Sequence, residues 1–174
     1  MSSAIALKQA GLAQIMVVDI SDFHLAKAAA LGFETCNSST EDLEQKIKDT
    51  MGTISSMFSE LIDVDIYVDA TGIAVIPKIY LQFGRSGSVL SVVGAHHQPR
   101  EIDLMKLTYS QQKLVGSAGY DMDDVKTVMD IMTSGQFDLE NLITHVYEQH
   151  QLEEGILKAT DSNTSLKVVI KYDK

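Results

Sequence analysis

Asp19 is the residue whose type and position carry the clearest chemical signal. It ends the apolar segment at residues 15–19 (IMVVD), directly before a stretch of helical pattern that begins at Ser21. In nucleotide-binding α/β folds, a carboxylate at the tip of the second strand accepts hydrogen bonds from the two ribose hydroxyls of an adenosine. The position of Asp19 therefore indicates an adenosine-binding acid, and a polar residue that merely ends a strand is the alternative.

The motif that usually accompanies such an acid does not occur in the sequence. No G-x-G-x-x-G is present, and the residues before Ala10 already have helical character. In dinucleotide-binding domains, that glycine turn and the strand before it hold the pyrophosphate. The sequence therefore has the pattern of a dinucleotide-binding domain that begins partway through its first helix.

The other candidate residues favour structural roles. His96 and His97 are adjacent, and because neighbouring side chains of an extended loop point apart, we predict solvent-exposed loop histidines and no metal site. His145 alternates with apolar residues in a predicted strand and is assigned to its polar face. The single cysteine, Cys36, permits neither an internal disulfide nor a cysteine-based zinc cluster.

Composition indicates one soluble globular domain. The chain has 174 residues, of which 45% are hydrophobic, and this length suffices for a sizeable core. Its net charge of −10 argues against nucleic acid as a partner, because phosphate binding needs a basic face. No apolar run approaches the roughly 20 residues that cross a bilayer, and no signal peptide is recognised. We therefore expect a cytoplasmic protein without a membrane partner.

Short β-branched runs alternate with amphipathic stretches along the chain. This alternation predicts an α/β fold with a doubly wound, mostly parallel sheet. Strands are predicted at residues 15–19, 33–36, 66–69, 88–93, 113–117, 143–147 and 166–171. Helices are predicted at 4–10, 21–31, 75–83, 104–108 and 151–160, after Ser39 or Thr40 as far as Met51, and after Asp121.

Several details within this pattern are specific enough to test. Ser39 or Thr40 is predicted to cap the third helix. The helix after Asp121 is predicted to turn four apolar residues inward, namely Val125, Val128, Met129 and Met132. Residues 52–61 carry no clear pattern.

Five segments, in order, resemble one enzyme family across essentially the whole chain. They are AIALKQAGLAQIMVVDISDFHLAKAAALGF, DIYVDATG, GSVLSVVG, KLVGSAGY and LITHVYEQHQLEEGILKA. Together they resemble the cofactor-binding half of the medium-chain zinc alcohol and polyol dehydrogenases, such as sorbitol, butanediol and threonine dehydrogenases. The resemblance implies a Rossmann-like fold and hydride transfer between a secondary alcohol or polyol and NAD. In that family, the zinc ligands lie in a catalytic domain that this chain lacks.

The resemblance also implies two ribose positions. Asp19 matches the acid that binds the adenosine ribose, and its charge favours NAD over NADP. His24 stands where relatives usually carry Arg or Lys near that ribose. Because neutral imidazole is a weaker donor, a histidine on the helix surface is the alternative.

Three loops match further cofactor positions in the resemblance. Thr71 and Gly72 match the loop beside the adenosine and pyrophosphate. Residues 93–95 match the segment beside the nicotinamide, with Gly94 allowing close approach. Residues 117–119 match the second nicotinamide loop, although sorbitol-type relatives carry a larger or basic residue at Gly119. The cofactor-binding set is thus Asp19, His24, Thr71, Gly72, Val93, Gly94, Ala95, Ser117, Ala118 and Gly119.

The expected organisation is an incomplete NAD-binding domain at residues 1–162 and a strand at 163–174 that in relatives returns to the catalytic domain. As a lone chain we expect a homo-oligomer that binds NAD(H) weakly and does not turn over an alcohol or polyol. Two alternatives stay open. One is a non-catalytic folded or oligomerising fragment without a cofactor, and the other is a methyltransferase-like nucleotide-binding domain.

Overall fold

The computed structural model describes residues 1–56 and 60–172, and it shows a mixed α/β fold with mostly parallel strands. In chain order, the elements are α1 (Ser2–Gln9), β1 (Met16–Asp19), α2 (Asp22–Ala30), β2 (Glu34–Asn37), α3 (Leu43–Met51), β3 (Thr53–Ser55), β4 (Glu60–Ile62), β5 (Ile66–Asp69), α4 (Val75–Phe83), β6 (Val89–Val92), α5 (Leu104–Ser110), β7 (Lys113–Gly116), α6 (Met122–Thr133), β8 (Ile143–Glu148), α7 (Leu152–Ala159) and β9 (Lys167–Lys171). Short 3₁₀ turns at Glu140–Leu142 and Gln149–Gln151 flank β8.

The chain forms two compact units. The first contains Met1–Glu41 and Asp121–Lys174, and the second contains Asp42–Tyr120. In the first unit, β1 pairs in parallel with β2, and β8 pairs in parallel with β9. In the second unit, β5, β6 and β7 form a three-stranded parallel sheet. The predicted α/β class and parallel pairing are confirmed.

The first unit has a core built from small and medium side chains. Ala4 and Ile5 of α1 pack with Ala28 of α2, Phe33 and Ile131. Ala28 is fully buried, because a methyl side chain lets α2 approach its neighbours closely. Full burial of a side chain such as Ile5 stabilises a fold by about 1.5–3 kcal/mol.

The second unit has its core between α4 and the parallel sheet. Tyr80, Leu81 and Leu90 are buried together there. The Tyr80 hydroxyl donates a hydrogen bond to the Ser88 carbonyl oxygen at 2.7 Å, so the phenol does not leave a buried polar group unsatisfied. Its ring meets that of Tyr67 edge to face at 5.1 Å between centroids.

The structure corrects the predicted cap of α3. Asp42 is the N-cap, and its carboxylate accepts a hydrogen bond from the Gln45 N–H at 3.1 Å. Ser39 instead donates its hydroxyl hydrogen to Asn37 Oδ1 at 2.6 Å, within the turn that follows β2. A serine side chain can form a hydrogen bond within a turn as well as at the start of a helix. The serine alone therefore does not show where α3 begins.

The inward face predicted for α6 is wrong for three of its four residues. Val128, Met129 and Met132 are exposed, while Ile131 is the buried residue of this helix. Asp121 does cap the helix, through a capping box with Asp124. The apolar residues of α6 therefore cover a wider arc of the helix than the core accepts.

Residues 52–61, which carried no clear sequence pattern, contain the antiparallel pair β3 and β4, and part of that range lies outside the described residues. No helix in the described part of the chain is both long enough and apolar enough to cross a membrane.

Candidate functional site

Asp19 lies where β1 ends and α2 begins. Its Oδ1 accepts hydrogen bonds from the N–H groups of Ile20 at 2.7 Å and Ser21 at 3.0 Å. Ser21 is the N-cap of α2 and accepts a bond from the His24 N–H through its own hydroxyl oxygen. These contacts fix the direction of the carboxylate, and its side chain remains 34% exposed. The carboxylate is thus oriented by the chain and still open to a ligand that donates hydrogen bonds.

His24 lies beside Asp19 and is mostly buried. Its Nδ1 is 3.1 Å from Asp19 Oδ2, and its Nε2 is 3.0 Å from the carbonyl oxygen of Ser165. The interpretation as a histidine on the helix surface is therefore wrong, since only 18% of the side chain is exposed. The structure brings together the two residues that the resemblance assigned to the ribose.

In the second unit, the other sequence-predicted residues all follow the carboxyl ends of parallel strands. Thr71 and Gly72 follow β5, residues 93–95 follow β6, and residues 117–119 follow β7. Because β5, β6 and β7 are parallel neighbours, these three loops meet at one edge of the sheet. Open α/β sheets bind their ligands at this edge.

The first two of these loops touch through their backbones. A Cβ atom on Gly94 would lie 2.2 Å from the Gly72 nitrogen, and a Cβ on Gly72 would lie 2.3 Å from the Ala95 oxygen. Gly72 also has a φ of +71°, in the left-handed region that favours glycine. The missing side chain of Gly94 therefore permits a loop contact inside the protein. The third loop is exposed along residues 117–119.

Asp69 is a buried carboxylate that holds the same two loops together. Its Oδ1 accepts bonds from the Thr71 N–H, the Thr71 hydroxyl and the Gly72 N–H at 2.8 to 2.9 Å. Its Oδ2 lies 2.8 Å from His96 Nε2. Its main-chain oxygen accepts bonds from the N–H groups of Val93 and Gly94.

Two opposing effects set the pKa of Asp69. Burial acts to raise it, but the bonds from Thr71, Gly72 and His96 outweigh burial and hold the pKa below its ordinary value. The carboxylate is thus kept charged inside the protein, at a position where its charge is matched by four donors.

The prediction of an exposed loop histidine is wrong for His96. Its side chain is 15% exposed and contacts a fully buried carboxylate, whereas His97 is exposed. Sequence reasoning also missed Asp69. The available signal was that Asp69 ends an apolar strand in the same way as Asp19, since DIYVD repeats the pattern of IMVVD.

A zinc site needs several donor side chains close together. Within residues 1–56 and 60–172, no group of three or more His, Cys, Asp or Glu side chains is placed to hold an ion. The described residues therefore do not fit a zinc centre. They do fit a ribose, because Asp19 presents an oriented and accessible carboxylate.

Parallel strands that alternate with helices define a Rossmann-like fold. The family model described as zinc-binding dehydrogenase matches residues 2–134. The chain belongs to this zinc-binding dehydrogenase family. The methyltransferase alternative is therefore rejected.

Relatives of known name are similar along nearly the whole chain. The alcohol dehydrogenase class-2 isozyme 2 of Oryctolagus cuniculus is 26% identical over 99% of this chain and 45% of its own length. The sorbitol dehydrogenase of Ovis aries is 22% identical over 97% of this chain and 46% of its own. The chain thus spans less than half the length of these relatives.

Solved structures show the same fold. The 2R,3R-butanediol dehydrogenase of Bacillus subtilis matches with a TM-score of 0.82 and 23% identity, covering 98% of this chain and 47% of that enzyme. An alcohol dehydrogenase from E. coli CFT073, solved in complex with NADH, matches with a TM-score of 0.80 and 20% identity over 97% of this chain and 48% of its own.

Proposed function

We propose that this chain is the NAD-binding portion of an oxidoreductase that transfers a hydride between a secondary alcohol or polyol and NAD. The observation that carries the proposal is the oriented, partly exposed carboxylate of Asp19 at the end of β1. Family membership and the NADH complex of one similar structure support it.

In this proposal, Asp19 accepts hydrogen bonds from the two hydroxyls of the adenosine ribose. Oδ1 already accepts two backbone N–H groups, which fixes the rotamer before a ligand arrives. Because a carboxylate repels a 2′-phosphate, the site prefers NAD to NADP. The resemblance places His24, in the first turn of α2, near the same ribose.

The loops of the second unit are proposed to bind through their backbones. The resemblance assigns Thr71 and Gly72 to the adenosine and pyrophosphate, and it assigns residues 93–95 and 117–119 to the nicotinamide. Asp69 positions the first two loops and does not itself touch the cofactor. Bound NAD supplies the hydride acceptor, while the alcohol pocket and zinc are expected in the remainder of a full-length enzyme.

The 174-residue chain alone is proposed to bind NAD weakly and to lack turnover, because it has no G-x-G-x-x-G turn for the pyrophosphate. We also propose, from the sequence and the family resemblance, that the protein is a cytoplasmic homo-oligomer. Here β9 pairs with β8, and we propose that residues 163–174 return to the catalytic domain in a full-length enzyme.

Calorimetric titration with NADH tests this proposal directly. We expect saturable binding by the native chain and at least tenfold weaker binding by Asp19→Asn, since one charged hydrogen-bonding group contributes about 1.5–3 kcal/mol. Asp130→Asn is the matched control, because it removes an exposed carboxylate from α6 of the same unit. Equal affinity of the two variants, or no binding by the folded native chain, contradicts the proposal.

A further inference from the structure

The ring of His24 is held between two groups that both accept hydrogen bonds. Nδ1 faces the Asp19 carboxylate at 3.1 Å, and Nε2 faces the main-chain oxygen of Ser165 at 3.0 Å. An ionised carboxylate and a carbonyl oxygen have no hydrogen to donate. Neutral imidazole carries one N–H and satisfies one of these contacts, whereas imidazolium carries two and satisfies both. Proton binding to His24 therefore couples Asp19 to Ser165.

The segment that contains Ser165 is fixed by contacts of its own. Ser165 is 5% exposed, and its hydroxyl donates to the Lys158 carbonyl oxygen at 2.9 Å. Its N–H donates to the Asp161 carbonyl oxygen at 3.0 Å. The Ser21 hydroxyl donates to the Ser162 carbonyl oxygen at 3.2 Å. The Ser165 carbonyl thus cannot easily turn away when His24 loses a proton.

The other charged groups on the surrounding elements have partners away from the ring. Asp22 accepts a bond from Asn37, and Lys27 lies over the Phe23 ring. Lys158 pairs with Asp161. The amino group of Met1 interacts with Asp19 over a longer range. Within the described residues, Asp19 is therefore the carboxylate in direct contact with the ring.

We propose that His24 is a specificity-determining residue that makes the choice between NAD and NADP depend on pH. This inference rests on the proposed function of Asp19. When His24 is protonated, the pair with Asp19 has no net charge, and repulsion of a 2′-phosphate is weakest. When His24 is neutral, its ring no longer offsets the negative charge of Asp19, and NADPH is rejected more strongly. The preference for NADH over NADPH therefore rises with pH.

Binding of NADH and NADPH at pH 6.5 and pH 8.5 measures this effect. In water, the interaction of two unit charges in contact changes a binding constant about fivefold. We therefore expect the ratio of NADH affinity to NADPH affinity of the native chain to rise about fivefold between pH 6.5 and pH 8.5. His24→Gln keeps a single donor and sets the baseline, which is needed because the 2′-phosphate itself titrates near pH 6. His24→Lys keeps its charge over this range. Both variants are expected to show only the baseline change.

An NMR titration of the labelled chain tests the coupling without a cofactor. Between pH 5.5 and 8.5, the Ser165 carbonyl carbon and the Asp19 carboxylate carbon should follow the His24 ring in one common transition. In His24→Gln, both carbons should stay constant. A Ser165 signal that ignores the ring overturns the inference.

The two arms separate the inference from the function on which it rests. If NADH binds but the native chain and His24→Gln have the same pH dependence, the inference is wrong and the proposed function stands. If neither cofactor binds, the proposed function fails, and the NMR titration still decides whether His24 couples Asp19 to Ser165.

Discussion

The Asp69 carboxylate joins the loop after β5 to the loop after β6. Its two oxygens and its main-chain oxygen accept bonds from Thr71, Gly72, Val93, Gly94 and His96. A buried charge with several donors is strongly destabilised when it is replaced by a group that cannot accept from all of them. The residue therefore maintains the edge of the sheet on which the loops proposed to bind the cofactor lie.

Asp69→Asn is expected to lower the free energy of unfolding by about 2–3 kcal/mol at pH 7. The folded pKa of Asp69 lies below its ordinary value, so this carboxylate stabilises the fold above the unfolded pKa and loses that effect as pH falls through the folded pKa. The difference between native chain and variant should therefore shrink on acidification from about pH 4 downward. Urea unfolding at pH 7 and pH 3 measures it, with Asp130→Asn as control. A difference that is constant with pH contradicts this account.

Sequence patterns revealed Asp19 but not the partners of Asp69. Asp19 was predicted because it ends an apolar strand directly before a helix, and its carboxylate has hydrogen-bond partners within five residues of it. His96 contacts Asp69 across 27 residues, from a loop without periodic pattern. Whether two such residues meet depends on which strands become neighbours in the fold. No local sequence pattern specifies that strand pairing.

At the scale of elements, most bounds follow from local chemistry. The range predicted for α4 is the range observed, because Gly84 follows it and Pro77 is tolerated in its first turn. The pair β3 and β4 was not predicted, since three-residue strands are too short to show alternation. The exposed side of α6 was predicted to face the core. Apolar residues occupy more of the circumference of this helix than the neighbouring elements cover.

The contact between the loops after β5 and β6 yields a matched pair of glycine substitutions. Gly94→Ala would place a Cβ 2.2 Å from the Gly72 nitrogen, whereas Gly116→Ala at the end of β7 would meet no atom within 4 Å. We expect Gly94→Ala to cost about 1–3 kcal/mol in unfolding free energy through overpacking. Gly116→Ala should stay within about 0.5 kcal/mol of the native chain. Urea midpoints compare the two, and similar costs would show that the loops do not meet as described.

At the scale of the whole molecule, each of the two compact units contains residues that the sequence assigned to the cofactor. The first contains Asp19 and His24, and the second contains the three loops at the edge of the β5–β6–β7 sheet. The family was predicted from the ordered segments, and the family match confirms it. The α/β class was predicted from the alternation of strands and helices, and the observed elements confirm it. The chain spans less than half the length of its named relatives.

The central claim is that this chain binds NAD with Asp19 at the adenosine ribose. The most direct measurement is a map of NMR shift changes in the ¹⁵N-labelled chain during titration with NADH. We predict saturable changes at the amides of Ile20, Ser21 and His24. The amides near Asp19 should lose these changes in Asp19→Asn but not in Asp130→Asn. A folded chain whose amides do not respond to NADH, or respond only away from these residues, would contradict the claim.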